Sequence, residues 1–206
     1  SFDSKWMAYT KITETQFQKI FLYDVDKNKS IALTDGLSDA TEPVFDKGGK
    51  YLFFFASTDA GPVINWFDQS NQDMRSTNSI YLVTLQKETN SPFAKESDEE
   101  KVKEQTEKDA VATSEKKSAS LVIDWDGIQN RIIDLPIQAG NYNQLGMGKE
   151  GELLYVANND NGPGVMHKYD INKRKDNEVM PMNGYMLSAD GKKMLYANSG
   201  KWFTSG

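Results

Sequence analysis

The chain has 206 residues, with Lys+Arg 24 against Asp+Glu 30 and a formal net charge of −6. The acidic balance argues against the nucleic-acid and anionic-membrane surfaces that depend on grouped Lys and Arg. Its longest purely apolar run, 51–56, is far short of the roughly 20 residues that span a bilayer. With no cysteine and a single histidine, disulfide frameworks, thiolate zinc sites and cysteine nucleophiles are excluded, and Ser/His/Asp hydrolysis would have to use His167.

The chain begins at Ser1 inside a turn-plus-strand pattern, without an initiator Met or a signal-type apolar segment, and so reads as a piece of a longer protein. Four times a turn of Asp/Gly/Lys type runs straight into a short apolar-aromatic stretch. The copies are Phe2-Asp3-Ser4-Lys5 before 6–9, Asp46-Lys47-Gly48-Gly49-Lys50 before 51–55, Lys149-Glu150-Gly151-Glu152 before 153–156, and Asp190-Gly191-Lys192 before 194–197. Taking Lys5, Lys50, Glu152 and Lys192 as equivalent, the spacings are 45, 102 and 40 residues. Periods of about 40 to 45 residues with several strands each predict propeller blades. A second strand follows at 20–24 and 165–170, putting Tyr23 and Tyr169 18 and 17 residues after Lys5 and Glu152. Third strands close the units at 30–34, 131–135 and 178–180.

Residues 87–118 alternate charge with almost no apolar side chains, and this composition predicts a solvated, disordered insertion. Both 80–85 and 121–124 suit the same strand slot, and either or both could fill it. The expected architecture is all-β: a partial β-propeller of about three blades plus the start of a fourth, with units near 1–43, 44–140, 141–185 and 186–206.

Few residues carry chemistry. His167 lies in the alternating strand Val165-Met166-His167-Lys168-Tyr169, with no Gly-x-Ser-x-Gly elbow in the chain, and reads as a surface or blade-packing side chain. Asp24, Asp26 and Asn28 match the first three oxygen ligands of a calcium loop, but Lys29 stands where Gly is needed and Asp35 where the closing Glu belongs. Turn chemistry accounts for them, and no metal or cofactor is expected. Phe53-Phe54-Phe55, and Trp6 with Tyr9, read as inter-blade packing. The loop 58–78 is about 15 residues longer than its counterparts, and long loops on rigid β scaffolds are where binding concentrates. Within it, Trp66 and Phe67 are candidates for apolar contact with a ligand, and Arg75 for pairing with a carboxylate such as a peptide terminus. The alternative is a loop that folds back over the propeller face or docks on a neighbouring domain.

The stretch 46–55, the loop Ser57-Thr58-Asp59-Ala60-Gly61-Pro62, Ser79-Ile80-Tyr81-Leu82-Val83-Thr84-Leu85 with Ser91-Pro92-Phe93, Ile123-Asp124-Trp125-Asp126-Gly127 with Arg131-Ile132, and Leu135-Pro136-Ile137-Gln138-Ala139-Gly140-Asn141-Tyr142 together resemble the second β-propeller of tricorn-type proteases. The repeats are also similar to those of the TolB translocation protein. The resemblance implies a non-catalytic region that gates, channels or holds peptide for a serine-type peptidase core absent from this chain. Implied partners are peptide or protein, the catalytic and PDZ domains of the parent, and other copies through exposed blade edges, with no nucleic acid and no membrane. The family's catalytic Ser and His have no counterparts here. An extracytoplasmic location is a further expectation. The alternative is a stand-alone TolB-like scaffold for protein–protein interaction.

Overall fold

The structure, a computed structural model, describes residues 1–58, 77–94, 120–159 and 162–205. Short aromatic and β-branched runs broken by Asp, Asn and Gly form fourteen strands among these residues. The first group is β1 (Trp6–Ile12), β2 (Gln18–Asp24) and β3 (Lys29–Ala32). The second is β4 (Asp39–Phe45), β5 (Tyr51–Ser57), β6 (Ser79–Thr84) and β7 (Ile132–Asp134), with a 3-10 turn, Ile128–Arg131, before β7. Then come β8 (Tyr142–Met147), β9 (Glu152–Ala157), β10 (Gly164–Asp170) and β11 (Lys175–Met182), followed by β12 (Gly184–Leu187), β13 (Met194–Asn198) and β14 (Lys201–Ser205). Each group is one antiparallel meander, giving sheets β1-β2-β3, β4-β5-β6-β7, β8-β9-β10-β11 and β12-β13-β14.

The repeated turns work by local hydrogen bonding. Asp46 accepts from the Gly49 amide at 2.8 Å, Asp3 from Lys5 at 3.2 Å and Asp190 from Lys192 at 3.0 Å. The residue before each of the four equivalent positions has a left-handed φ: 59° at Ser4, 69° at Gly49, 79° at Gly151 and 68° at Gly191. Glycine takes this conformation without a Cβ clash, which is why three of the four are Gly.

Blades two, three and four also contain a first strand ahead of the turn, β4, β8 and β12, and the alternation rule does not reveal β4 and β8. Both are bulged, with register shifts between Thr41 and Val44 and between Asn143 and Gly146. A bulge inserts a residue and so breaks the period of two. Strand β4 straddles residue 43, so the second sheet starts at Asp39. The disputed slot is filled by 79–84 as β6. Residues 121–124 instead form an extended strap, with the Leu121 amide donating to Asp3 at 2.7 Å and the Asp124 amide to the Leu85 carbonyl at 2.9 Å. Of the charged insertion, 87–94 are described; Arg174 donates to the Pro92 and Ala94 carbonyls at 3.1 and 2.9 Å and lies over the Phe93 ring. Residues 95–119 lie outside the described residues.

The core sits in the seams between successive sheets. Ile20, Leu22 and Leu33 of the first sheet pack on Leu52, Phe54 and Val83 of the second. Phe53, Phe55 and Leu82 meet Leu153, Tyr155 and Tyr169 of the third. Leu154, Val156 and Met166 continue to Tyr185 and Leu187 of the fourth. Because side chains alternate, Phe53 and Phe55 serve one seam and Phe54 the other. A strand buried on both faces reads as an unbroken apolar run, which is what 51–55 is.

Candidate functional site

Stacking the sheets face to face makes their first strands converge: β4 lies against β8, and β8 against β12. These strands form the inner wall. Its bulges hold Glu42 and Gln144 at left-handed φ values of 50° and 54°. Gln144 borders a groove of about 380 Å³ that is also lined by Val44, Leu145, Met147, Tyr185 and Leu187. A larger hollow of about 610 Å³ opens between Trp6, Met7 and Ala8 of β1 and Pro43, Val44 and Phe45 of β4. The only charged residues on the three inner strands are acidic, Asp39 and Glu42. Asp39 reaches the first sheet and accepts from the Gln18 amide at 2.7 Å.

The candidate binding residues Trp66, Phe67 and Arg75 lie outside the described residues, so the structure neither joins them to this wall nor separates them from it. At the foot of their loop, Thr58 borders a hollow of about 190 Å³ floored by Ala40, Phe54, Tyr81 and Ile132.

His167 packs in the seam between the second and third sheets. Its Nδ1 is 2.7 Å from an Asp176 oxygen, and its ring stacks on Tyr155 with centroids 5.0 Å apart. Tyr155 in turn meets the Tyr142 ring edge-on at 5.0 Å. The carboxylate of the calcium-like stretch serves its turn: Asp24 accepts the Lys27 amide at 3.0 Å and pairs with the Lys27 ammonium at 3.1 Å. Asp170 does the same for Lys173 in the third sheet, accepting its amide at 3.0 Å.

Burial, and then the Asp176 carboxylate that accepts its hydroxyl, hold the Tyr155 phenol well above its ordinary pKa of 10.0. The folded state therefore keeps a proton that the unfolded chain releases above pH 10. Stability is full below that value and falls as pH rises past it, by about 1.4 kcal/mol per pH unit for each such tyrosine. In urea midpoints measured from about pH 9 to about pH 11, Tyr155→Phe is expected to flatten the alkaline decline by one tyrosine's share. An unchanged slope would show that Tyr155 ionises freely in the fold.

Sequence reasoning missed Glu42, Gln144 and Tyr185 as elements of the wall. One signal was present, since Glu42 and Gln144 are 102 residues apart, the same spacing as the turn equivalents Lys50 and Glu152.

Side-by-side antiparallel sheets with converging first strands define a partial β-propeller. The family described as "Tricorn protease second beta propeller domain" matches residues 1–205, and the chain belongs to that family. It is 26% identical over 202 residues to a tricorn protease homolog of Saccharolobus solfataricus, covering 94% of this chain and 17% of that protein. Among solved structures, the crystal structure of the tricorn protease superposes with TM-score 0.67 at 21% identity, covering 98% of this chain and 20% of the other. TolB from Acinetobacter baumannii superposes with TM-score 0.56 at 15% identity, over 98% of this chain and 37% of its own. The chain thus spans about a fifth or less of the tricorn-type proteins it matches.

Proposed function

We propose that this chain is a substrate-handling wall of a tricorn-like serine protease, gating, channelling or binding extended peptide for a peptidase core that lies elsewhere in the parent protein. The observation that carries the reading is the inner groove, where Val44, Leu145, Met147 and Leu187 offer apolar contact along converging strands. Asp39 and Glu42 add negative charge to the same wall, which suits the ammonium end or cationic side chains of a peptide. Family membership supports placing such a wall in a proteolytic parent. On this reading the partners are peptide and the parent's own catalytic and PDZ domains, and the aromatic loop residues Trp66 and Phe67 are auxiliary contacts.

The test is Leu145→Glu in the full-length parent protein. For peptides long enough to thread the propeller, kcat/KM is expected to fall about tenfold, while a short chromogenic substrate is cleaved at the parental rate. Equal losses on both substrates, or none on either, would remove the channelling role. A second reading, a scaffold for a protein partner, is favoured by the outermost sheets, where Met7, Trp202 and Phe203 are exposed. Retained cleavage of long peptides together with co-purification of a stoichiometric partner would favour it.

A further inference from the structure

The inner strands are joined by a repeated contact of their own. In the second sheet, the Glu42 side chain crosses the seam and its Oε2 accepts the backbone amide of Leu145, on β8, at 2.8 Å. In the third sheet, the Gln144 side chain does the same, its Oε1 accepting the backbone amide of Tyr185, on β12, at 2.9 Å. The Tyr185 hydroxyl closes a second bond to the Gln144 carbonyl at 2.8 Å. Donor and acceptor positions keep one spacing: Glu42 to Gln144 and Pro43 to Leu145 are each 102 residues apart, and Gln144 to Gly184 and Leu145 to Tyr185 each 40.

Both acceptor residues sit at the bulge, where a non-glycine left-handed φ is strained and persists only when surrounding contacts require it. The extra residue turns the side chain out of the sheet and towards the next blade. At the third equivalent position the chain has Gly184, where a Cβ would lie 2.8 Å from the Gln144 amide nitrogen, so the missing side chain makes room for the incoming carboxamide.

We infer that the bulge residues of β4 and β8, Glu42 and Gln144, are inter-blade latches, hydrogen-bond acceptors that tie each blade to the inner strand of the next and fix the spacing of the inner wall. The latch runs in one direction, from Glu42 to Leu145 and from Gln144 to Tyr185. It does not enter the second sheet at this position, because the receiving residue there is Pro43, which has no N–H. The seam between first and second sheets uses another device, the Asp39 carboxylate reaching back to the Gln18 amide. Blades two to four are therefore coupled through their inner strands. What the latch requires is an oxygen acceptor rather than a charge, since Gln144 serves as well as Glu42.

Residue-resolved amide hydrogen exchange by NMR tests this. In Glu42→Ala the Leu145 amide is expected to exchange about tenfold faster, in Glu42→Gln to stay within about threefold of the parent, and in both the Tyr185 amide to keep its protection. Glu42→Gly removes the acceptor while relieving the left-handed φ, and gives the same reading should the alanine chain fold poorly. The inference is overturned if Leu145 protection survives Glu42→Ala and Glu42→Gly. It is also overturned if Tyr185 loses protection equally, which would mean general loosening, or if Glu42→Gln behaves like the alanine variant.

Discussion

Phe54→Ala and Phe53→Ala are each expected to destabilise the fold by about 3–5 kcal/mol, through lost burial and the cavity left behind, yet to loosen different seams. Phe54 is 2% exposed and belongs to the seam between first and second sheets, where it stacks on Tyr81 with centroids 5.8 Å apart. Phe53 is fully buried in the seam between second and third sheets. The first seam contains its own reporter, because Trp6 and Trp125 lie 5.8 Å apart there, close enough for their indole transitions to couple. Near-ultraviolet circular dichroism should therefore lose the tryptophan signal in Phe54→Ala and keep it in Phe53→Ala, while urea midpoints fall in both. Equal loss of that signal in the two variants would mean that the seams do not respond separately. A loss of this size is a large share of the about 5–15 kcal/mol that holds a typical domain folded.

Arg131→Ala is the second large effect, expected at about 2–4 kcal/mol. The guanidinium donates to four main-chain carbonyls, those of Thr84 at 3.0 Å, Asp126 at 2.9 Å, Leu85 at 3.5 Å and Asp124. It thereby fastens the strap 121–126 to the end of β6. Removing it takes one donor from each of these carbonyls, the Leu85 carbonyl keeping the Asp124 amide, and frees Trp125 from Trp6. Lysine, a single point donor on a flexible stem, is expected to recover less than half of the loss, since it cannot reproduce a planar fork. The readouts are the urea midpoint and exchange of the Asp124 amide, which is bonded to the Leu85 carbonyl at 2.9 Å. Full rescue by lysine would mean that charge rather than fork geometry holds the strap.

The blade repeat was legible because its signals are short-range. The Asp46 carboxylate bonds amides three and four residues along the chain, so the turn is written in five consecutive letters. The run 51–55 announced a strand covered on both faces, and 20–24 and 165–170 took their places as β2 and β10. The strands β4 and β8 were not legible, because a bulge removes the alternation by which a half-buried strand is read. The strap 121–124 has a strand's composition and is not one, since the Arg131 bonds and the Asp3 carboxylate occupy the polar groups that a neighbouring strand would have paired. His167 was read as a packing or surface residue, and its contacts with Tyr155 and Asp176 place it in the seam.

The site divides along the same line. Sequence pointed to Trp66, Phe67 and Arg75 through an unusually long loop, and these remain outside the described residues. The inner wall could be found only in three dimensions. Glu42 meets Leu145 across 103 positions, and Gln144 meets Tyr185 across 41, distances over which no local propensity acts. Hydrogen bonds within a hairpin settle turns, strands and blade count, since their partners are a few residues apart whatever the rest of the chain does. Which strands converge, which side chains cross a seam and which residues line the inner wall follow from stacking whole sheets. That stacking is driven by non-directional burial of Phe53, Phe54, Phe55 and Tyr155 and is given its register by the few polar groups that find partners on the next blade.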